Sequence, residues 1–231
     1  MRNIVTGFYL ETLQRLIDHG EISLSDKVLV VCGGSLDREV MEAIGFIDFV
    51  VTGLDCPDQQ DAENLNFASD SFDVAIVHAG LHHCYSPHRA LLEMYRVARR
   101  AVIGFESRDS LLIRSAVKFG LTVDYEIDST ADGKGGVADT GIPNFVYRWT
   151  ERELYKTIAT NDPARAPNIR YFYEMRIPVQ RLSKSDNPAL KLISRVATPF
   201  AKFFTMALPK QCNEFAFAVL KNGKPHPWIK A

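Results

Sequence analysis

The sequence predicts an α/β fold: a doubly wound, mostly parallel sheet with an antiparallel last strand and a helical cap insertion. Three observations predict it. Apolar runs such as KVLVV (27–31) and FDVAIVHAG (72–80) have the character of strands buried on both faces of a parallel sheet. Segments of helical period, LDREVMEAIGF and SPHRALLEMYRVARR, alternate with them, and that order builds strand–helix–strand units. IRYFYEMRI and EFAFAVLK, near the end, alternate in period two, as an antiparallel pair does.

Each element follows from local signals. FYLETLQRLIDHG sets Tyr9, Leu13, Leu16 and Ile17 on one helical face and stops at Gly20. VVCGGSLDRE runs from strand through a double-glycine turn into a helix that spaces Leu36, Val40 and Ile44 four apart and ends at Gly45. FVVTGLD is the second strand and FDVAIVHAG the third. Ser86 can cap the next helix, Pro87 suits its first position, and Leu91, Met94 and Ala98 make its buried stripe. AVIGFES is a fourth strand and SLLIRSAVKFG a helix. DSTADGKGGVADTGIPN (128–144) is polar and rich in glycine, and loops of that length inside a compact domain often serve as lids. Thr150 and Glu153 form a capping box. NPALKLISRVATPFAKFFTMALPK is helical, basic and aromatic. Residues 1–231 are expected to form one domain, with substrate-side insertions at about 107–168 and 183–211.

With 46% hydrophobic and 24% charged residues over 231 positions, the chain can bury one large core. No apolar run reaches the ~20 residues of a membrane span, and the first residues lack the apolar segment of a secretory signal. A cytoplasmic location is the resulting expectation. The four cysteines lie far apart without a CxxC pair, which points to reduced thiols rather than a disulfide framework or zinc knuckle. The net charge of -1 hides a skew: 15 basic against 24 acidic side chains up to residue 159, then 12 against 4. A basic final third can steer an anionic substrate or a membrane surface; solvated charge balancing one face against another is the plainer account. It offers no strand platform of interleaved aromatic and basic residues, so nucleic acid is not an expected partner.

Ligands of doubly wound sheets sit at the carboxyl ends of the strands. There the glycine turn lets backbone N–H groups approach a cofactor, and Asp55, closing the second strand, can accept both hydroxyl hydrogens of a ribose. A plain tight turn, with Asp55 as a cap beside Pro57, explains the same residues. The block from 61 to 106 goes further. Asp61-Ala62, Asn66-Phe67, Ser71-Phe72-Asp73, Leu81-His82-His83 and Tyr95-Arg96-Val97 follow in order, and this block resembles the centre of class I S-adenosylmethionine-dependent methyltransferases, in the group that includes the ubiquinone and menaquinone C-methyltransferases. The likeness runs from about Val28 to Glu106, and EFAFAVLK resembles the family's last strand.

The resemblance implies a Rossmann-like sheet and S-adenosylmethionine as cofactor. It implies that Cys32, Gly33, Gly34 and Ser35 lie beside the methionine moiety, Asp55 at the ribose, and Asp61 with Ala62 at the adenine. His78 and Ala79 would border the sulfonium and substrate. Three departures stand out in the family's acidic-x-Gly-x-Gly-x-Gly loop: Val30 replaces the acid, Cys32 the first glycine and Leu36 the third. Between Asp55 and Asp61 there is only CPDQQ, where the family fits a helix and a strand.

HAGLHHCYSPH holds His78, His82, His83 and His88 with Cys84. The residues alone suggest no metal, which needs ligands converging on one point. His78, His82 and His83 are candidates for a general base that deprotonates the acceptor; packed helix-start residues, or catalysis by proximity alone, are the alternatives. Glu106, Arg108, Tyr147, Arg148 and Trp149 are substrate-side candidates, although aromatics at an element boundary also pin loops to a core. The basic insertion, with Phe200, Phe203 and Lys202, suits a helical cap, a homodimer contact or peripheral membrane contact. The expected activity is methyl transfer to a small-molecule or lipid- or sugar-linked acceptor. The competing reading is a catalytically inactive binding or scaffolding protein on the same fold, and a nicotinamide oxidoreductase is a weaker third.

Overall fold

The computed structural model describes residues 4–53, 59–130, 133–177 and 199–229. Helix α1 (Ile4–Asp18) precedes β1 (Val28–Val31), α2 (Ser35–Ile44), β2 (Phe49–Val51), β3 (Phe72–His78), α3 (Pro87–Val97) and β4 (Ala98–Ser107). Helices α4 (Leu111–Lys118) and α5 (Glu151–Asn161) follow, then strands β5 (Asn168–Glu174) and β6 (Glu214–Leu220). Among the described residues the sheet has six strands in the order β2-β1-β3-β4-β6-β5. The first four pair in parallel, and β6 runs antiparallel to both β4 and β5. This is the expected architecture, with the short β2 at the edge where CPDQQ left no room for a further helix and strand.

Alternation along the strands divides the core between two faces. Leu29, Val31, Ala75, Val77 and Val102 point to one side and meet Leu91 and Met94 of α3 and Leu154 of α5. Val28, Val30, Val74, Ile76 and Ile103 point to the other and meet Tyr9, Leu13 and Leu16 of α1 with Val40 and Met41 of α2. Strands that face helices on both sides must be apolar throughout, and β1 is buried at every position. Ala98, expected in the α3 stripe, is instead the first residue of β4, with extended backbone (φ -89°, ψ 132°) and Phe72 as its partner. Ser86 sits at the helix start without a side-chain capping bond, whereas the Thr150–Glu153 capping box of α5 is formed. A helix over 199–207 packs on the end of β5, where Met175 N–H donates to Thr205 Oγ1 at 3.0 Å. The segment 178–198, with most of the basic insertion, lies outside the described residues.

The strand ends away from the site are tied by charge. Asp73 accepts from Lys27 N–H at 2.9 Å and from Arg99 Nε at 2.6 Å, and Arg100 pairs with Asp26. Burial opposes ionisation of Asp73, but the Arg99 and Lys27 bonds outweigh it and hold the carboxyl below the usual carboxylate range. A depressed folded-state pKa contributes stability above the unfolded value of about 4, and that stability is lost as pH falls through the folded value. Asp73→Ala should therefore lower unfolding free energy by about 1–3 kcal/mol near neutral pH. In denaturant titrations the gap to the parent protein should narrow below about pH 4; a gap independent of pH would contradict this account. In β4, Gly104 lies under the Phe217 ring, which occupies the space a Cβ would need. Gly104→Ala should cost about 1–3 kcal/mol by overpacking, and Phe217→Leu in the same chain should recover part of it.

Candidate active site

The chain leaves β1 toward β2 on one side and returns through β3 on the other, so the carboxyl ends of β1 and β3 diverge and open a crevice. A cavity of about 660 Å³ lies there, between the glycine turn, the 59–63 turn, the 79–84 turn and the loop 135–139. That volume falls within the range of about 300–1,000 Å³ typical of small-molecule sites.

The two glycines of VVCGGSLDRE differ in role. Gly33 donates its N–H to Thr52 O at 2.8 Å, and a Cβ on it would come within 2.8 Å of Val30 and Val51 side-chain carbons. It is glycine because β1 and β2 close over it. Gly34 has nothing within 4 Å of its Cβ position and faces the cavity. Its N–H donates to Asp37 Oδ2 at 2.9 Å. Asp37, buried at the start of α2, thus gives the turn a carboxylate anchor although position 30 is valine. Cys32 takes the left-handed backbone (φ 53°) that a glycine would adopt without strain. Gly80 is pressed against it, since a Cβ there would lie 2.5 Å from that of Cys32.

The opposite wall hangs on Glu106. This fully buried carboxylate accepts from Gly80 N–H at 3.1 Å and Leu81 N–H at 2.9 Å through Oε1, and faces His82 Nδ1 at 3.2 Å through Oε2. A carboxylate oxygen accepts, so His82 Nδ1 carries a proton, and Nε2 points away from Glu106. His83 Nδ1 lies 3.2 Å from the carbonyl of Gly136, which likewise places its proton on Nδ1. Burial disfavours the His82 imidazolium, but the Glu106 bond and the carboxylates of Glu106 and Glu126 outweigh it and raise its pKa. Burial and the neighbouring His82 lower that of His83. The Cys84 thiol is pushed well up by its contact with Cys32 and by burial.

The glycine-bearing loop forms the roof. Gly135 and Gly136 have φ of 73° and 69°, Ala138 and Asp139 have 47° and 58°, and Gly135 N–H donates to Asp139 Oδ1 at 2.6 Å. Gly136 has no space for a Cβ because the Ile142 carbonyl occupies it.

The sequence candidates divide accordingly. Cys32, Gly33, Gly34, Asp61, Ala62, Ala79 and His83 line the cavity. Asp61 Oδ1 accepts from Glu63 N–H at 2.8 Å and shapes its own turn. Ser35 is exposed in the first turn of α2 and is not part of the lining. Asp55 lies outside the described residues. His78 turns toward α1, where its ring stacks on Tyr9 at 4.9 Å between centroids. Burial lowers its pKa, and Arg176 adds to this against the carboxylates of Asp37 and Glu106. Of the substrate-side candidates, Glu106 spends its oxygens on the 80–82 turn, and Trp149 is fully buried. Tyr147 donates to Glu153 at 3.0 Å, Arg148 to Asp124 at 2.8 Å, and both border a separate hollow by α4. Arg108 is held bidentately by Glu151. Gly53, Gly80 and Glu126 carried no signal a single sequence could expose: the glycines matter through non-local contacts, and Glu126 lies 43 positions beyond His83.

Residues 22–103 match the family model of the methyltransferase domain. Over that stretch, about a third of its length, the chain is similar to a methyltransferase domain. The matched stretch reaches from before β1 into β4 and contains the glycine turn, Asp61-Ala62 and the 79–84 turn, but not the roof. Among solved structures, the chain is similar to a SAM dependent methyltransferase from Archaeoglobus fulgidus, at 15% identity and a TM-score of 0.52, covering 94% of each chain. It is also similar to the YcgJ protein from Bacillus subtilis, at 14% identity and a TM-score of 0.51, covering 93% of this chain and 99% of that one. These likenesses are of fold. None of the curated proteins matches the sequence.

Because the Gly34 Cβ position is open to the cavity and its φ of -144° is extended backbone, a larger residue there would fill ligand space without striking protein. Gly34→Leu should weaken binding of S-adenosylhomocysteine at least about tenfold by calorimetry. The melting midpoint should fall by no more than about 4 °C. Unchanged affinity would place the ligand elsewhere.

Proposed function

We propose that this protein is a methyltransferase that moves a methyl group from S-adenosylmethionine to a small-molecule or a lipid- or sugar-linked acceptor. The observation that carries the reading is the enclosure of one cavity by the glycine turn, the Asp61-Ala62 turn and the Ala79-Gly80 turn, under a glycine-rich roof. S-adenosylmethionine, when bound, supplies an electrophilic methyl on a sulfonium whose leaving group is a neutral thioether.

The protein's part is to hold, orient and keep water out. Asp61 and Ala62 would border the adenine, and Gly34 would let the methionine end lie close to the turn. Ala79 and Gly80 are small, so an acceptor can approach the methyl along the open wall beside them. Positioning of this kind supplies much of the rate in transfers between two bound reactants, and a closed roof limits competing hydrolysis. His83 presents a neutral Nε2 lone pair at the cavity wall, its tautomer set by the Gly136 carbonyl. The exposed Phe203 and Met206 beside Lys202 on helix 199–207 support a peripheral contact of that face with an anionic lipid surface or a second copy.

Calorimetry with S-adenosylhomocysteine, followed by incubation with methyl-labelled cofactor and a small-molecule extract, tests the reading. Saturable uptake and label in an extracted metabolite are expected. No uptake of either cofactor form at about 1 mM would overturn it in favour of a binding or scaffolding protein on the same fold.

A further inference from the structure

The 79–84 turn and the segment before the roof bring three ligating side chains to one point. His82 Nε2 and His83 Nε2 each lie 3.9 Å from Glu126 Oε2, and the three atoms all fall within 4.8 Å of one another. In both imidazoles the far nitrogen holds a proton in a hydrogen bond, His82 to Glu106 and His83 to the Gly136 carbonyl. Two ring nitrogens and a carboxylate oxygen therefore surround one point, where a bound cation would displace any proton on His82 Nε2. At 3.9 Å a proton on either Nε2 would be too far for a normal hydrogen bond to Glu126. A cation at the centre would lie no more than about 2.5 Å from each atom, and inward movement of roughly 0.4 Å would give the 2.0–2.1 Å bonds of zinc.

The supporting arrangement is also that of a metal centre. Metal-binding histidines commonly donate their second ring N–H to a carboxylate or a backbone carbonyl, which fixes the ring and raises its basicity; here Glu106 does this for one ring and Gly136 for the other. Two imidazoles and one carboxylate suit zinc and leave coordination positions open. His82 is buried, while the side chains of His83 and Glu126 are 39% and 34% exposed, so the centre can be reached from solvent. His83 also lines the cavity beside Ala79 and Gly80.

We propose that His82, His83 and Glu126 form a site for a zinc-class divalent cation whose open position holds an ionisable hydroxyl of the methyl acceptor. The cation site stands on its own geometry; the acceptor's place on it rests on the methyl-transfer reading. A cation lowers the pKa of an oxygen it binds, so the hydroxyl releases its proton to solvent and keeps an oxygen lone pair for attack. That oxygen forms a bond to the methyl carbon as the carbon–sulfur bond breaks, and the bond's electron pair stays on sulfur. The products are a methyl ether and S-adenosylhomocysteine. The class of acceptor is therefore hydroxylic.

The test uses the full chain, stripped with chelator and titrated calorimetrically with zinc alone, with cobalt(II) absorption as a second readout of coordination. One equivalent should bind. His83→Ala and Glu126→Gln should each weaken binding at least tenfold, and Glu106→Gln, which spares all three ligands, by about 10–100-fold. His226→Ala, a change remote from the cluster, should bind as the parent does. Glu126 is partly exposed, so its variant should fold even if the Glu106 variant does not, and melting curves confirm each. No stoichiometric uptake by the parent, or affinity unchanged in both ligand variants, overturns the site. Retained binding of S-adenosylhomocysteine in a protein that takes no zinc would do so while leaving the methyltransferase reading intact. Zinc uptake with label transfer unaffected by chelator overturns the acceptor's place on it.

Discussion

A buried carboxylate at the end of β4 organises this molecule. Glu106 has no exposure to solvent, and its oxygens meet two consecutive backbone N–H groups and one imidazole of the neighbouring turn. A charge in that position is tolerable only if its lone pairs are filled, so the turn after β3 must present Gly80, Leu81 and His82 together. Hydrogen bonds to a charged group contribute about 1.5–3 kcal/mol each, enough to hold a short irregular turn against its conformational entropy. The cavity wall, the orientation of the His82 ring and the approach to His83 all follow from that contact.

The glycine turn shows how a degraded motif can keep its shape. Only one of its two glycines needs to be small for the fold, because β1 and β2 close over Gly33, while Gly34 leaves room for a ligand. The acid that the resemblance leads one to expect at the end of the strand is valine here, yet Asp37 puts a carboxylate on the same turn from within α2. A helix N-terminus favours negative charge, which makes that position an inexpensive one for the anchor. Cys32 bears the cost of the missing first glycine as a left-handed residue, and it packs against Gly80, whose missing side chain makes the space.

The histidine-rich stretch illustrates the limit of reading neighbours in sequence as neighbours in space. Four histidines within eleven residues separate in the fold: His78 stacks on Tyr9, His88 lies against Tyr147 and Trp149, and only His82 and His83 stay together. What converts that pair into a potential ligand set is Glu126, brought over from the segment ahead of the roof, whose backbone is tied by Glu126 N–H to Asn144 O at 3.1 Å.

The sequence by itself determined the sheet, its parallel core, the final antiparallel pair, most helix limits and the location of the crevice. Those features depend on apolar period, caps and turn residues, which are local and survive in a single chain. KVLVV could only be a strand buried on both faces, and Thr150 with Glu153 could only open a helix. Tertiary structure alone decided which polar residues serve the cavity and which serve the core. Glu106 and Trp149 turned inward, Tyr147 and Arg148 turned to a separate hollow, and Asp37 and Glu126 came in from elements that carried no motif. The reason is that a side chain's role depends on what faces it across the fold, and that is set by the packing of segments far apart in the chain.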